Sequence, residues 1–189
     1  MRHKYETRGI ILARAPSGEA NAFVTVLTPS LGLVRARAQG LRRPGAKLAS
    51  ALATFVESEL VLVRGKDGWR ITGAVPFENW FARMQDHASR TRAARFARLL
   101  LRLIAGEVQE PVLFPIVAGF FEALAVLPED AHDAAEVLAA LRVLSALGLD
   151  AGGIPGEMSV FTPALLAEVG AQRAGYVTRI NRGIDASGL

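Results

Sequence analysis

Five cationic side chains, Arg35, Arg37, Arg42, Arg43 and Lys47, fall within LVRARAQGLRRPGAKLASAL, residues 33 to 52, and no carboxylate falls among them. Side chains of this type at this density neutralise a polyanion and release its condensed counterions. In LVRARA the side chains alternate, which puts Val34, Ala36 and Ala38 toward a core and spaces Arg35 and Arg37 about 6.6 Å apart on the opposite face. Like charges so placed repel each other, and a polyanion turns that repulsion into attraction. Arg42, Arg43 and Lys47 carry the track into the next loop, where Pro44 holds Arg43 extended. None of the five sits on a helix that could enter a major groove, so contacts to backbone rather than to base edges are expected. Phe23 and Trp69 would add base stacking if they face outward, although an aromatic in an alternating strand is more often core.

Charge is distributed unevenly along the chain. Of its 189 residues, the first 105 hold 18 Lys and Arg against 7 Asp and Glu, and the last 84 hold 4 against 11, for a net charge of +4. The first part is therefore expected to meet a polyanion and the last part is not. Arg92, Arg95, Arg98 and Arg102 recur every three or four positions on one flank of a helical stretch. They form either a solvated helix face or an extension of the cationic surface, with Arg92 and Arg95 the expected outlying DNA contacts.

Other chemistries find little support. His3, His87 and His132 are scattered, none with a second histidine at metal-ligand spacing, so no metal is expected. There is no G-x-S-x-G elbow and no phosphate-binding G-x-x-x-x-G-K-[ST] loop, and no cofactor is expected. Glu57 and Glu59 could share a strand face, but a polar outer edge explains them more simply than acid/base catalysis. The chain has no cysteine, which excludes disulfides and thiolate zinc sites. No apolar run reaches bilayer length, and MRHKYETRG is too polar for a secretory signal, so a cytoplasmic protein without membrane contact is expected.

The elements that must position the cations read as strands first and helices afterwards. Residues 8–15, 22–27, 33–38, 55–64 and 69–75 have strand character, with turn signals at Pro16-Ser17-Gly18, Thr28-Pro29-Ser30-Leu31-Gly32 and Lys66-Asp67-Gly68. KLASALA, after the Pro44-Gly45 break, favours a short helix between the third and fourth strands. Five strands with one helix at that point follow the order of an OB barrel, an architecture that handles oligonucleotides. An SH3-like barrel is the alternative and lacks the helix. From about residue 80 the period becomes helical. One stripe runs through Phe96, Leu99, Leu100, Leu103 and Ile104, and a second helix begins at Pro111. A third starts near Asp130 or Asp133, buries Leu138, Leu141, Leu144 and Leu147, and stops at Gly148. DAGGIPG, residues 150–156, reads as loop. Short helices over 163–169 and 176–184 complete the chain. The expected fold is α+β, with a five-stranded OB-fold barrel over residues 1–79 followed by an all-α domain over 80–189.

The residue order resembles the N-terminal domain of the RecO family of bacterial DNA repair proteins. The likeness rests on G-I-x-L at residues 9–12, G-E-x-x at 18–21, T-x-x-x-G-L at 28–33, G-x-R-R-P-x-x-K-L at 40–48 and VRGKDGWRITGA at 63–74. It is close over residues 6 to 80 and looser over FARLLLRLIAGEVQEPVLFPIVAGFFEAL and RVLSALGLDAG. The resemblance implies a non-enzymatic recombination mediator that binds single- and double-stranded DNA and anneals complementary strands. It also implies pairing with a RecR-type mediator and contact with the single-stranded DNA-binding protein to assist recombinase loading. It places DNA contacts at Arg35, Arg37, Arg42, Arg43 and Lys47. Many members carry a cysteine zinc module after the RVLSALGLDAG-like helix; this chain continues instead as GGIPGEMSVFTPALL, so zinc is not carried over, and the helical domain is expected to be short or divergent. Two readings stand beside this one: a protein adaptor whose arginines engage an acidic tail, and a general OB-fold RNA-binding protein.

Overall fold

The computed structural model describes residues 3–104, 106 and 109–188. Five strands, β1 (Lys4–Ser17), β2 (Asn21–Thr28), β3 (Gly32–Ala38), β4 (Val56–Gly65) and β5 (Gly68–Asn79), pair in the cyclic order β1-β2-β3-β5-β4 and close a barrel. Strand alternation builds its wall. In β3, Val34, Ala36 and Ala38 are buried and Arg35 and Arg37 are exposed, as the sequence pattern requires. The Asp-Gly signal becomes a hairpin in which Gly65 faces Gly68, and Gly68 adopts φ 96°, a left-handed conformation that favours glycine. One strand does double duty: β1 pairs with β4 through its first half and with β2 through its second, bending at a bulge between Ile11 and Ala13. Closure comes from a parallel pairing of β3 with β5, Ala36 to Trp69, Arg37 to Arg70 and Ala38 to Ile71. Val24, Val26, Val34, Ala36, Leu60, Leu62, Trp69 and Ile71 fill the interior.

The short helix expected in KLASALA is replaced by overlapping turns. Ala49 N–H donates to Ala46 O and Ala53 N–H to Ser50 O, with one four-residue closure from Leu52 N–H to Leu48 O. A run this short, opened by Pro44 and Gly45, gives too few propagating hydrogen bonds to offset helix nucleation. Leu41 and Leu52 instead drop into the barrel core and anchor the segment.

Glu57 sits inside this unit rather than on the polar outer edge its spacing suggested. Its side chain is buried, accepting from Trp80 Nε1 at 3.1 Å and facing Arg8 Nη1 at 3.4 Å. Burial pushes its carboxyl above the usual range, and the Trp80 hydrogen bond and the Arg8 charge only partly offset this. A folded-state pKa raised in this way gives stability that is present at low pH and falls as pH rises from the unfolded to the folded pKa. Glu57→Gln keeps the acceptor for Trp80 and removes the charge. It is expected to melt no lower than the parent at pH 7.5, with the difference closing toward pH 4; thermal unfolding across that range is the check.

The chain divides into two units, Met1–Ala82 with Gly106–Phe114 and Arg83–Ala105 with Pro115–Leu189. A short helix, α1 (Trp80–Arg83), follows the barrel, and then come α2 (His87–Leu103), α3 (Leu113–Val126), α4 (Glu129–Ala146), α5 (Pro163–Ala171) and α6 (Arg173–Ala186). In α2 the expected stripe is present: Phe96, Leu100 and Ile104 are buried, and Phe96 packs on Phe120 with ring centroids 4.7 Å apart. α4 begins at Glu129, next to Asp130 and so at the earlier of the two expected starts, and is buried on nearly all sides. Its end is as expected, with Gly148 at φ 72° and Leu149 N–H donating to Leu144 O at 2.8 Å, although Leu147 is only half-buried. The fold is α+β, an OB-type five-stranded sheet followed by helices, as the sequence led us to expect.

Candidate nucleic-acid interface

The barrel holds the five cations of the opening stretch at its surface. Arg35 and Arg37 leave the outer face of β3 at alternate positions. Arg42, Arg43 and Lys47 are exposed on the turn segment, whose buried neighbours Leu41, Ala51 and Leu52 fix its course. The segment is tied to the β1–β2 turn by hydrogen bonds from Arg42 N–H to Ala20 O at 3.0 Å, Gly40 N–H to Asn21 Oδ1 at 3.0 Å and Arg42 Nη1 to Gly18 O at 2.7 Å. Among the described residues none of the five meets a carboxylate. The strand and the loop thus form one cationic track with no internal counterion.

The two aromatic candidates separate. Phe23 on β2 is half-buried, lies across from Arg37 in register and carries the Arg35 guanidinium 4.2 Å from its ring centroid. Trp69 faces inward: it is 5% exposed and packs edge-on against Tyr5 at 5.1 Å. Register decides this, because Trp69 opposes the inward-facing Ala36 across the parallel pair. Stacking on a base is open to Phe23 and closed to Trp69.

Arg92 and Arg95 have a different environment. Arg92 Nη1 lies 2.8 Å from Glu136 Oε2 and 3.7 Å from Asp133 Oδ1, and Arg95 forks onto Glu136 through Nε and Nη2. The Glu136 carboxylate raises the Arg95 pKa, chiefly through that hydrogen bond. Asp133 is shared with Arg173 at 2.6 Å, which holds its carboxyl below the usual range. A groove of about 660 Å³ above this network is lined by Arg98 and Arg102 as well, over Phe96, Leu99 and Ile180. An anion must compete with Glu136 for Arg92 and Arg95, whereas among the described residues it meets no competing carboxylate at Arg35 or Arg43.

One constellation that spacing concealed has the composition of a catalytic triad. Ser89 Oγ lies 2.5 Å from Asp86 Oδ2 and 3.2 Å from His132 Nδ1, and His132 Nε2 meets Leu127 O at 2.9 Å. Ser89 and His132 are buried, so no substrate reaches the hydroxyl. Asp86 caps α2 by accepting from Ser89 N–H at 2.7 Å, and the Ser89 hydroxyl and amide together hold its carboxyl below the usual range. The trio joins the start of α2 to α4.

Residues 1–79 match the family described as Recombination protein O N terminal. The chain is 30% identical over 173 residues to the DNA repair protein RecO of Gloeobacter violaceus, an alignment covering 91% of this chain and 64% of the relative. It is 37% identical over 110 residues to that of Acaryochloris marina, covering 58% and 38%. To the protein of the same name from a Roseiflexus species it is 35% identical over 121 residues, covering 64% and 42%. The chain spans about half the length of these relatives. Its barrel, with the strand order and cationic turn segment described above, is the part that the family match covers, and the chain belongs to the RecO family.

Proposed function

We propose that the protein is a DNA-binding recombination mediator: it binds single- and double-stranded DNA, anneals complementary strands and assists recombinase loading during DNA repair. In this reading an OB-fold domain of residues 1–79 holds the DNA through Arg35, Arg37, Arg42, Arg43 and Lys47, and Arg92 and Arg95 in a helical domain of residues 80–189 contribute less because each must leave Glu136. Annealing needs two backbones shielded from each other and no catalytic group, so the protein acts without turnover. A RecR-type mediator and the single-stranded DNA-binding protein are its partners, and it works in the cytoplasm at the nucleoid. Among the described residues no helix is long and apolar enough to cross a membrane.

The observation that carries the proposal is the set of five cations exposed on the barrel with no carboxylate partner among the described residues. If each neutralises one phosphate, the logarithm of single-strand affinity falls against log salt with a slope of roughly −3.5. Removing Arg42 and Arg43 together by alanine substitution is expected to reduce binding at 50 mM salt by about fiftyfold. Labelled complementary oligonucleotides, annealed at several salt concentrations with parent and variant, measure both quantities. Salt-insensitive affinity, or undiminished binding by the double variant, rejects the assignment.

A further inference from the structure

Where β1, β4 and β5 run side by side, the outer face of the barrel is apolar at its centre and charged at its rim. The register sets Glu6, Val61 and Gly73 in one cross-strand row and Arg8, Glu59 and Val75 in the next. These rows line a groove of about 500 Å³, and a cavity of about 150 Å³ already holds a benzene ring. Gly73 keeps its floor low, since a Cβ there would lie 3.2 Å from Val61 Cγ2. Val75 is 62% exposed and Phe77 56%. Phe77 has no partner across the sheet, because the β4–β5 register slips between Glu57 and Ser58, which pair with Glu78 and Pro76, and the bulge leaves its ring outside. Arg8, at the wall of the groove, covers one side of that ring with its guanidinium 3.6 Å from the centroid. The patch thus holds a projecting ring and a recess that fits one.

Its charges are incomplete in the same way. Arg8 opposes Glu59 in register, yet its guanidinium turns to the Phe77 ring and to Glu57, at 3.4 Å, and the exposed Glu59 has no ion pair among the described residues. The Arg8 side chain is 42% exposed, and its fork of N–H groups retains donors for a second carboxylate. Strand addition is closed here: beyond Ile71, β5 pairs with β4 alone among the described residues, and Pro76 blunts that edge. The carboxylates of Glu6 and Glu59 disfavour a polyanion on this face.

We propose that the face joins two copies of the chain across a two-fold axis, with Phe77 of each copy entering the groove of the other and Arg8 of each meeting Glu59 of the other. A two-fold contact requires a surface that is its own complement, and a patch holding a ring with its recess and a cation with a carboxylate meets that requirement. The cationic track lies on β3 and the turn segment, so the dimer leaves it uncovered. Under the annealing reading one assembly then carries two tracks, one for each strand.

The test is sedimentation equilibrium of the full chain without DNA, from 1 to 200 μM, where a reversible monomer–dimer equilibrium is expected. Each residue enters a two-fold contact twice, so Phe77→Ser is expected to weaken the dimer by about thirtyfold or more. Glu59→Lys should weaken it by about fivefold at 50 mM salt and by less at 500 mM. Thermal unfolding confirms that both variants fold. The chain's lack of cysteine allows a second readout: a mixture of Phe77→Cys and Val75→Cys chains is expected to crosslink with a short bismaleimide, and Lys47→Cys, on the cationic track, is not. A parent that stays monomeric to 200 μM gives the face to another protein or to none and overturns the proposal. So does a Phe77→Ser variant that dimerises like the parent, or crosslinking of Lys47→Cys as efficient as that of the mixture. A parent that dimerises but binds no DNA supports the dimer and rejects the mediator reading.

Discussion

Replacing Arg35, Arg37, Arg43 and Lys47 together by alanine is expected to abolish most DNA affinity while leaving the fold intact. Each neutralised phosphate on a single strand adds roughly 0.7 to the salt slope, hence about 0.9 of a decade of affinity at 50 mM salt and about 0.5 at 200 mM. Four such losses amount to about three and a half decades at the lower salt and about two at the higher. The variant's slope should flatten by about 2.8 at the same time. That coupling separates lost phosphate contacts from misfolding, which would remove binding without a defined change of slope. Arg42 is left in place because its guanidinium also holds Gly18 O and so helps fix the segment against the β1–β2 turn. The side chains of the other four make no hydrogen bond or ion pair among the described residues, and only Arg35 has a packing partner to lose, the Phe23 ring, so their loss should move the melting temperature little. Anisotropy titrations at the two salt concentrations decide the matter, and a variant that binds within threefold of the parent at 50 mM would sink the cationic-track reading.

The track was legible in the sequence because both of its signals are local. Alternation within LVRARA sets the face of Arg35 and Arg37, and Pro44 with Gly45 keeps Arg43 and Lys47 out of a helix and in solvent. Strand existence was equally legible, but strand extent was not. β1 runs on to Lys4 and Ser17, and β5 to Asn79, because partners across the barrel extend them where no alternation remains. Barrel closure depends on the parallel β3–β5 pairing between residues more than thirty positions apart, for which a sequence window carries no sign. The same pairing turns Trp69 inward, which is why one aromatic candidate was lost. Arg92 and Arg95 show the opposite limit: their spacing was correct for a solvated face, but their partner Glu136 lies about forty residues away on another helix.

Arg142→Ala is expected to be the most damaging single substitution for stability. The guanidinium is completely buried on α4, with no carboxylate partner among the described residues. Nη1 donates to Met158 O at 3.1 Å and Nη2 to Pro155 O at 3.1 Å, the guanidinium carbon lies 4.6 Å from the Phe161 ring centroid, and Nε has no hydrogen-bond acceptor among the described residues. Burial pulls its pKa down to about 10, which is still far enough above neutrality for the group to remain charged. A lone arginine inside VLAALRVLSALGL, residues 137–149, was the sequence signal for such a device, because a charge placed in an otherwise apolar helix must find dipoles to satisfy it. It finds them in the irregular segment 150–162, of which the sequence indicated residues 150–156 as loop, and Arg179 makes a second clasp there on Asp150 and Gly153 O. Truncation to alanine leaves a cavity and two half-buried carbonyls without their donors, at a cost of about 3 kcal/mol and about 10 °C in melting temperature. Arg142→Met separates volume from hydrogen bonding: it refills the cavity and removes the buried charge, so it should recover roughly half of the loss. Both variants should open residues 150–162 to limited proteolysis while leaving single-strand affinity, carried by the barrel, unchanged. A melting temperature for Arg142→Ala within 2 °C of the parent, or a methionine variant more stable than the parent, would mean that the carbonyl clasp contributes nothing and that the charge is only a burden.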